Sequence, residues 1–450
     1  MKSVLLALAF CITIIFSASG DEWIIEDVDE GEYICFTSIA IGPGDLPHIS
    51  YVDDVLNPNH DLKYAHWNGS SWEISYVNDS GDNINHTSIA LNSSGAPRIA
   101  YEDNSNWDLE YASWNGSSWD FTVVDGGASS EVGSPSLCIN SQDQPRIAYV
   151  DHYSSSLNYA RREGSTWYLS IIDNSAHLSY RPSMSLDSDD KPHVSYYDTT
   201  NEDLKYAVLG TEFWYTTTVD TTGDVGIYNS LAVDSNDRPH ISYCDYTNGD
   251  LKYARYDGSQ WLISTVESAG NVGFGYMSIV IDENDNPCIA YTDWTNPCLK
   301  YAEFNGSSWD ITIVDNDGDT GRHVSLALDS EYRPHISYQY SDAGDTDCLR
   351  YAHYGPVGIE EEESALEFSL DDFSPNPCNG SASAEFTITN SGLVSLTVFD
   401  ITGRKVADLA NGVYTAGTHE VVLDGFQEGV YICVMRFGEF LDTRRLVVLD

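Results

Sequence analysis

Basic residues are scarce in this chain. Lys and Arg total 21 against 70 Asp and Glu, a formal net charge of −49. Such a surface repels phosphate backbones and anionic headgroups, so nucleic acid and anionic membrane are poor partners, whereas cations and basic ligands are attracted. Long apolar runs are missing after the first twenty residues, so no later segment is expected to span a bilayer. Paired C-x-x-C spacing is missing, which argues against a structural zinc site. G-x-S-x-G and H-E-x-x-H do not occur, which removes the nucleophile-elbow hydrolases and the H-E-x-x-H zinc proteases. Aromatic side chains, by contrast, are plentiful: 30 Tyr and 11 Trp give a composition that folds and does not stay disordered.

The first twenty residues, MKSVLLALAFCITIIFSASG, carry one Lys, an apolar run from Val4 to Phe16, and small residues at Ala18 and Gly20. This pattern reads as a secretory signal peptide cleaved before Asp21. Cys11 lies inside the apolar run and does not fit a lipoprotein cleavage site. Export permits disulfides among the remaining Cys. Cys378 and Cys433 share the C-terminal region and are candidates to pair; sequence leaves the connectivity of the others open.

Self-comparison exposes the architecture. Variants of S-[LI]-A-[LVI]-D-S begin at Ser38, Ser88, Ser136, Ser183, Ser230, Ser278 and Ser325, at spacings of 50, 48, 47, 47, 48 and 47. Each copy continues with P-[HR]-I-[SA]-Y-x-D, then D-L-K-Y-A, then G-S-S-W and alternating apolar residues. The fifth copy reads SLAVDSNDRPHISYCD followed by DLKYARYDGSQWLISTVES. Each phrase is a short strand by its period of two, and turn letters separate the phrases. Asn-Gly in WNGSSW (67–72 and 114–119) and FNGSSW (304–309) is a hairpin signal, read as a turn with positive φ at both positions. Four strands per repeat, repeated around a ring, predict an all-β fold: a seven-bladed β-propeller. Bulky Ile, Leu and Tyr on one face of each sheet are expected to stack on slim Ser and Ala of the next.

The ends fix the blade count. After Tyr354 the seventh copy stops without its Trp strand, while EWIIEDVDEGEYICFTS precedes the first Ser-Ile-Ala. Trp23 is therefore read as the missing outer Trp, and the N-terminal strand as the one that closes the ring and removes an exposed sheet edge. This assigns residues 21–355 to the propeller. GPVGIEEEESALE follows, and residues 356–366 read as an acidic linker. Residues 367–450 alternate apolar strands with Gly and Asn turns, which predicts a small immunoglobulin-like β-sandwich.

This last segment contains SPNPCNG (374–380), VFDITGRKV (398–406), AGTHEV (416–421), GVYICVM (429–435) and a terminal TRRLVVL. In these phrases it resembles the C-terminal sorting domain of cargo proteins of the type IX secretion system. A related immunoglobulin-like module of flagellar hook-capping proteins is similar, but terminal position and the signal peptide favour sorting. The resemblance implies export across the outer membrane, contact with the secretion machinery, and a secreted or cell-surface location. The repeats are similar, in strand phrasing only, to propeller lectins of the fucose-binding type, and no sugar-binding residue carries over.

Candidate site residues follow from loop length. Second-to-third and blade-to-blade connections are long and varied, and function favours such loops on a rigid scaffold. Asp53, Asp103, Asp151, Asp198, Asp245 and Asp293 recur at the second-strand exits, with Tyr153, Tyr246 and Trp294 beside some of them. These are the candidate ligand residues; the alternative for the Asp is to accept backbone N–H groups within their turns. Asp315, Asp317 and Asp319 in VDNDGDTG form a candidate calcium loop, though its Gly is at the fourth position and not the sixth an EF-hand needs. Calcium is the one candidate cofactor. WNGSSW is similar to half of a sialidase Asp-box, with Trp67 or Trp114 where the Asp would stand. His48, His193, His240 and His335 fill one repeated slot, which points to packing. No acid, base and nucleophile set is recognisable. The expectation is a monomeric, non-catalytic recognition protein for a glycan or a protein surface partner. The alternative is a polysaccharide hydrolase or lyase using carboxylates at the channel mouth.

Overall fold

The phrases become sheets as their periodicity dictates. In the fifth blade the strands are Val225–Val233, Pro239–Asp245, Asp250–Tyr256 and Trp261–Glu267, hydrogen-bonded in sequence order. The computed structural model describes residues 21–31, 33–53, 60–78, 83–127, 131–175, 181–272, 274–341, 347–356, 368–371, 373–388, 391–401, 404–437 and 440–449. The signal-peptide reading and nearly all of the linker reading lie outside them. The chain divides into two compact units, Asp21–Gly355 and Pro356–Asp450.

The first unit is seven four-stranded antiparallel sheets, a β-propeller. The second and third strands of each blade are buried on both faces, because neighbouring blades cover both. The seventh sheet consists of Asp319–Leu328, Pro334–Ser341, Asp347–Pro356 and, as its outer strand, Asp21–Gly31. Trp23 takes the place of the absent seventh Trp. Its ring meets Tyr301 of the sixth blade edge-on at 5.3 Å, as Trp309 meets Tyr253, Trp261 meets Tyr206 and Trp72 meets Tyr351. The outer Trp of every blade thus packs on the third-strand Tyr of the blade before it, a T-shaped contact aromatic quadrupoles favour.

Three further sets of contacts stitch the blades. The repeated Ser of each innermost strand accepts the N–H of the residue after the corresponding Ser in the next blade. Ser38 takes Ile89, Ser88 takes Leu137, Ser136 takes Met184, Ser183 takes Leu231, Ser230 takes Ile279, Ser278 takes Leu326, and Ser325 takes Ile39. At five junctions a turn Ser donates both its N–H and its hydroxyl to an Asp of the next blade, as Ser235 does to Asp285 and Ser330 to Asp45. These Asp hold positive φ, which Asp tolerates better than most residues. Finally, in five blades the second-strand Tyr donates to a carboxylate at the end of the preceding outer strand, and a third-strand cation binds the same group. Tyr243 and Lys252 share Asp220, Tyr291 and Lys300 engage Glu267, and Tyr338 and Arg350 share Asp315. Where the cation is replaced by Glu110, the partner is Asn78 in place of an acid, and Tyr101 donates to Glu110 instead.

Two sequence expectations need correction. The Asn-Gly turn is a four-residue loop: Trp67 faces Trp72, the Asn68 carboxamide oxygen accepts the N–H groups of Ser70 and Ser71, and positive φ is taken by Gly69. Asn caps the loop through its side chain, so it does not need the left-handed conformation. Second, Cys378 and Cys433 are not bonded to one another. Both are buried thiols in the core of the C-terminal unit, and burial pushes the Cys433 thiol up to about 12.

That unit has one sheet of three strands, Phe368–Leu370, Ser381–Ile388 and Gly417–Asp424, and one of four, Lys405–Tyr414, Gly392–Asp400, Gly429–Phe437 and Phe440–Val448. Alternate residues such as Phe386, Leu396, Val398 and Met435 point into a common core. Among the described residues no helix is long and apolar enough to cross a membrane.

Deleting residues 21–36 strips the seventh sheet of its outer strand. Several ladder hydrogen bonds, each worth about 1 kcal/mol net, are lost with the Trp23 contact. We expect misfolding or oligomers by size-exclusion chromatography, and a monomer with unchanged Tm would overturn the closure argument. Acid should weaken the fold through the repeated His slot. His48 and His335 accept or donate at Nδ1 to the hydroxyls of Tyr64 and Tyr351, and burial lowers each to about 4. A depressed imidazole stabilises the fold fully above the unfolded value of about 6.5, and that stability is lost as pH falls towards 4. Urea midpoints measured at high salt should drop between pH 7 and pH 4.5, and the slope should flatten in H48Q/H335Q.

Candidate functional site

The second-strand exits and the starts of the innermost strands lie at the same end of the propeller. Asp53 pairs in register with Ile34, Asp103 with Ile84, Asp151 with Val132 and Asp245 with Val225. The predicted Asp stand there, but five of the carboxylates are turned into their own loops. Asp103 accepts from Ser105 and Asn106, Asp151 from Tyr153 N–H and Ser154, Asp198 from Thr200 and Asn201, and Asp245 from Asn248. Asp293 accepts from Thr295 and pairs with Lys300, and Asp53 pairs with Lys63. The neighbouring aromatics are outside: Tyr153 is 68% exposed, Tyr246 packs tilted against Phe274 at 4.2 Å, and Trp294 lies under Arg322 at 4.8 Å.

The calcium-loop residues are not gathered around a point. Asp315 is the blade-junction carboxylate bound by Tyr338 and Arg350, Asp319 pairs with Arg322, and Asp317 reaches Arg350 at 3.5 Å from the surface. Among the described residues no group of three His, Cys, Asp or Glu side chains could hold a metal ion.

The chemistry-bearing groups converge elsewhere, on the innermost strands. Two residues before each repeated Ser, the seven copies carry Phe36, His86, Ser134, Arg181, Tyr228, Tyr276 and His323. The innermost strands bulge here, with register slips between Cys35 and Ser38, Asn85 and Thr87, Gly133 and Ser136, and Arg322 and Ser325. Phe36, His86, Ser134, Arg181 and His323 hold φ between 34° and 53°. Bulges re-aim side chains, and positive φ in large residues concentrates at functional sites. Here the result is a cavity of about 150 Å³ lined by Phe36, His86, Ser134, Arg181, Tyr276 and His323 among others.

Arg181 is the hub. Its Nη2 donates to His86 Nε2 at 2.9 Å and to the Tyr276 hydroxyl at 2.8 Å, and its guanidinium lies 4.1 Å from the Tyr276 ring and 5.3 Å from Phe36. The His323 ring packs tilted against Tyr276 at 3.9 Å, and the Phe36 ring tilted against His86 at 4.2 Å. Among the described residues no carboxylate pairs with Arg181. Glu102 approaches from the second strand of the second blade, in a slot filled elsewhere by Val52, Val150, Tyr197, Cys244, Thr292 and Gln339. It is 7% exposed, faces His86 Nδ1 at 2.8 Å and accepts the Ser134 N–H at 3.2 Å. Gly133 makes room for it, since a Cβ there would stand 2.5 Å from Glu102 Oε2.

These contacts settle the tautomer of His86. A guanidinium only donates, so Nε2 accepts and the ring proton sits on Nδ1, given to Glu102. Burial and the Arg181 charge hold His86 below the usual imidazole range, against the pull of Glu102. Burial drives His323 further down and the Tyr276 phenol up, so both are neutral. The cavity thus offers one cation, two neutral imidazoles, one phenol and an apolar ring. The sequence expectation looked to the long loops at this end of the ring, whereas these groups stand on the innermost strands. The signal was in the slot before each Ser, where seven copies differ.

Three comparisons bear on these units. Among solved structures, the chain is similar to AofleA from Arthrobotrys oligospora at 14% identity, over 65% of this chain and 90% of that one, with a TM-score of 0.46. It is similar to a protein of unknown function from Dyadobacter fermentans at 10% identity, over 74% and 98%, with a TM-score of 0.49. A PL25 ulvan lyase matches at 12% identity, over 71% and 95%, with a TM-score of 0.49. At these values the likeness extends no further than the fold. No curated protein matches the chain. Residues 373–449 match the family described as "Secretion system C-terminal sorting domain". The second unit is therefore a secretion-system sorting domain of the type IX kind, and it directs the propeller to the cell surface or outside the cell.

Proposed function

We propose that the propeller is an exported recognition module for acidic glycan, and that it takes a sugar carboxylate in the channel-mouth cavity. One observation carries this reading: Arg181 is enclosed, and its polar partners, His86 and Tyr276, are neutral. Elsewhere in the ring the enclosed third-strand cations are matched to acids, as Lys63, Lys205, Lys252, Lys300 and Arg350 are. A guanidinium fork suits a planar carboxylate, and the aromatic faces of Phe36 and Tyr276 suit a sugar ring. The cavity is smaller than the roughly 300–1,000 Å³ of pockets that enclose drug-sized ligands, so it takes one unit or one end of a chain. The net charge of −49 does not forbid an anion. Surface fields decay over about 8 Å at physiological salt, whereas an enclosed ion pair is screened much less.

The test is calorimetry with the mature full-length protein and oligosaccharides of galacturonate, glucuronate and mannuronate, each beside its carboxyl-reduced counterpart. Wild type should bind an acidic form and not its reduced form. R181Q should bind at least tenfold more weakly, since a hydrogen bond to a charged group is worth about 1.5–3 kcal/mol. Equal affinity for acidic and reduced sugars would overturn the reading.

A further inference from the structure

We propose that the same cavity also cleaves the chain it binds, by β-elimination at a uronate linked through its O4. The proposal rests on the carboxylate reading of Arg181 and adds a reaction to it.

The reaction needs three functions, and the cavity supplies each from a different blade. A clamp must bind the C6 carboxylate and hold the charge that grows on it as the C5 proton leaves. Arg181 of the fourth blade is placed for that. A neutral base must take the C5 proton. His86 of the second blade carries its proton on Nδ1, held by Glu102, and its Nε2 lone pair, which accepts from Arg181 in the empty cavity, turns to the C5 proton once the sugar carboxylate takes that guanidinium N–H. An acid must protonate the departing O4. Tyr276 of the sixth blade accepts from Arg181 through its oxygen, so its own proton is free to give. Base and acid each lie within 2.9 Å of the same guanidinium nitrogen, so a carboxylate seated on Arg181 brings its C5 and C4 substituents to both.

The step balances without a further reactant. The C5–H pair becomes the C4=C5 double bond, the C4–O4 bond breaks, O4 takes the Tyr276 proton, and the proton on His86 returns the phenolate to phenol directly or through water. The products are a 4,5-unsaturated uronate end and a free hydroxyl end, and no water is consumed. Hydrolysis fits this cavity less well. It requires two carboxyl groups about 5–9.5 Å apart across the bond, and the cavity lining contains neither Asp nor Glu. Glu102 stands behind His86 and is a positioning residue.

The experiment uses the mature full-length protein on polymers of galacturonate, glucuronate and mannuronate, read by the ultraviolet absorbance of the conjugated product and by mass spectrometry. Absorbance should grow with at least one polymer that calorimetry shows to bind. H86A and Y276F should each lower kcat by at least a hundredfold while the affinity of the oligosaccharide persists. E102Q should lower kcat with KM held and should displace the acidic limb of the pH profile, which a merely structural role would not do. Binding without any unsaturated product overturns elimination and leaves recognition standing. Saturated fragments one water heavier would instead mark hydrolysis and overturn it as well. A protein that binds none of the acidic sugars overturns both readings.

Discussion

The hydrogen bond from a backbone N–H to the repeated Ser hydroxyl of the preceding blade governs this propeller. An innermost strand is paired on one side only, and its free edge faces the channel. Its N–H groups would be buried donors without acceptors, each costing about 1–3 kcal/mol. The Ser supplies the acceptor, and because the same Ser repeats at a spacing of 47 to 50 residues, each blade caps the next. The bond from Ile39 to Ser325 completes the circle. The Trp–Tyr contacts at the rim and the Tyr–carboxylate–cation sets between blades repeat the same logic further out: a group left unsatisfied in one blade is matched by the next.

That regularity explains why the functional groups stand where they do. Positions that join blades are tied to the repeat and have little freedom to vary. The slot before each Ser is different, since its side chain leaves the blade at a bulge and enters the channel. Seven copies there hold Phe, His, Ser, Arg, Tyr, Tyr and His. Glu102 is a second-strand residue that reaches this group, and it orders His86. The Asp at the second-strand exits of six blades is regular for the same reason in reverse: Asp103, Asp151, Asp198, Asp245 and Asp293 cap the loops that follow them.

Much of the scaffold was legible from the letters alone. Strand phrases, turn phrases and the absence of an outer Trp after Tyr354 led to seven blades and to Trp23 as the closing residue, and the sheet that contains Asp21–Gly31 matches. The Asn-Gly turn was misjudged because a side-chain cap and a left-handed residue leave the same letters. The candidate calcium loop contained the right acids for a cation, but Asp315 is spoken for by Tyr338 and Arg350, which lie 23 and 35 residues away. Spacing in one loop carries no information about such partners.

By itself, the sequence determined the fold class, the number of blades, the order of strands and the sorting module, because each follows from local periodicity or from a phrase repeated in place. Tertiary structure alone decided the site. Arg181 is 95 residues from His86 on one side and from Tyr276 on the other, and only closure of the ring sets alternate blades around one axis at hydrogen-bond distance. The bulges that aim them inward arise from strand register, which the repeat permits but does not spell out. The proton on Nδ1 of His86 depends on Arg181 and Glu102 together, and therefore on the second and fourth blades meeting at one point.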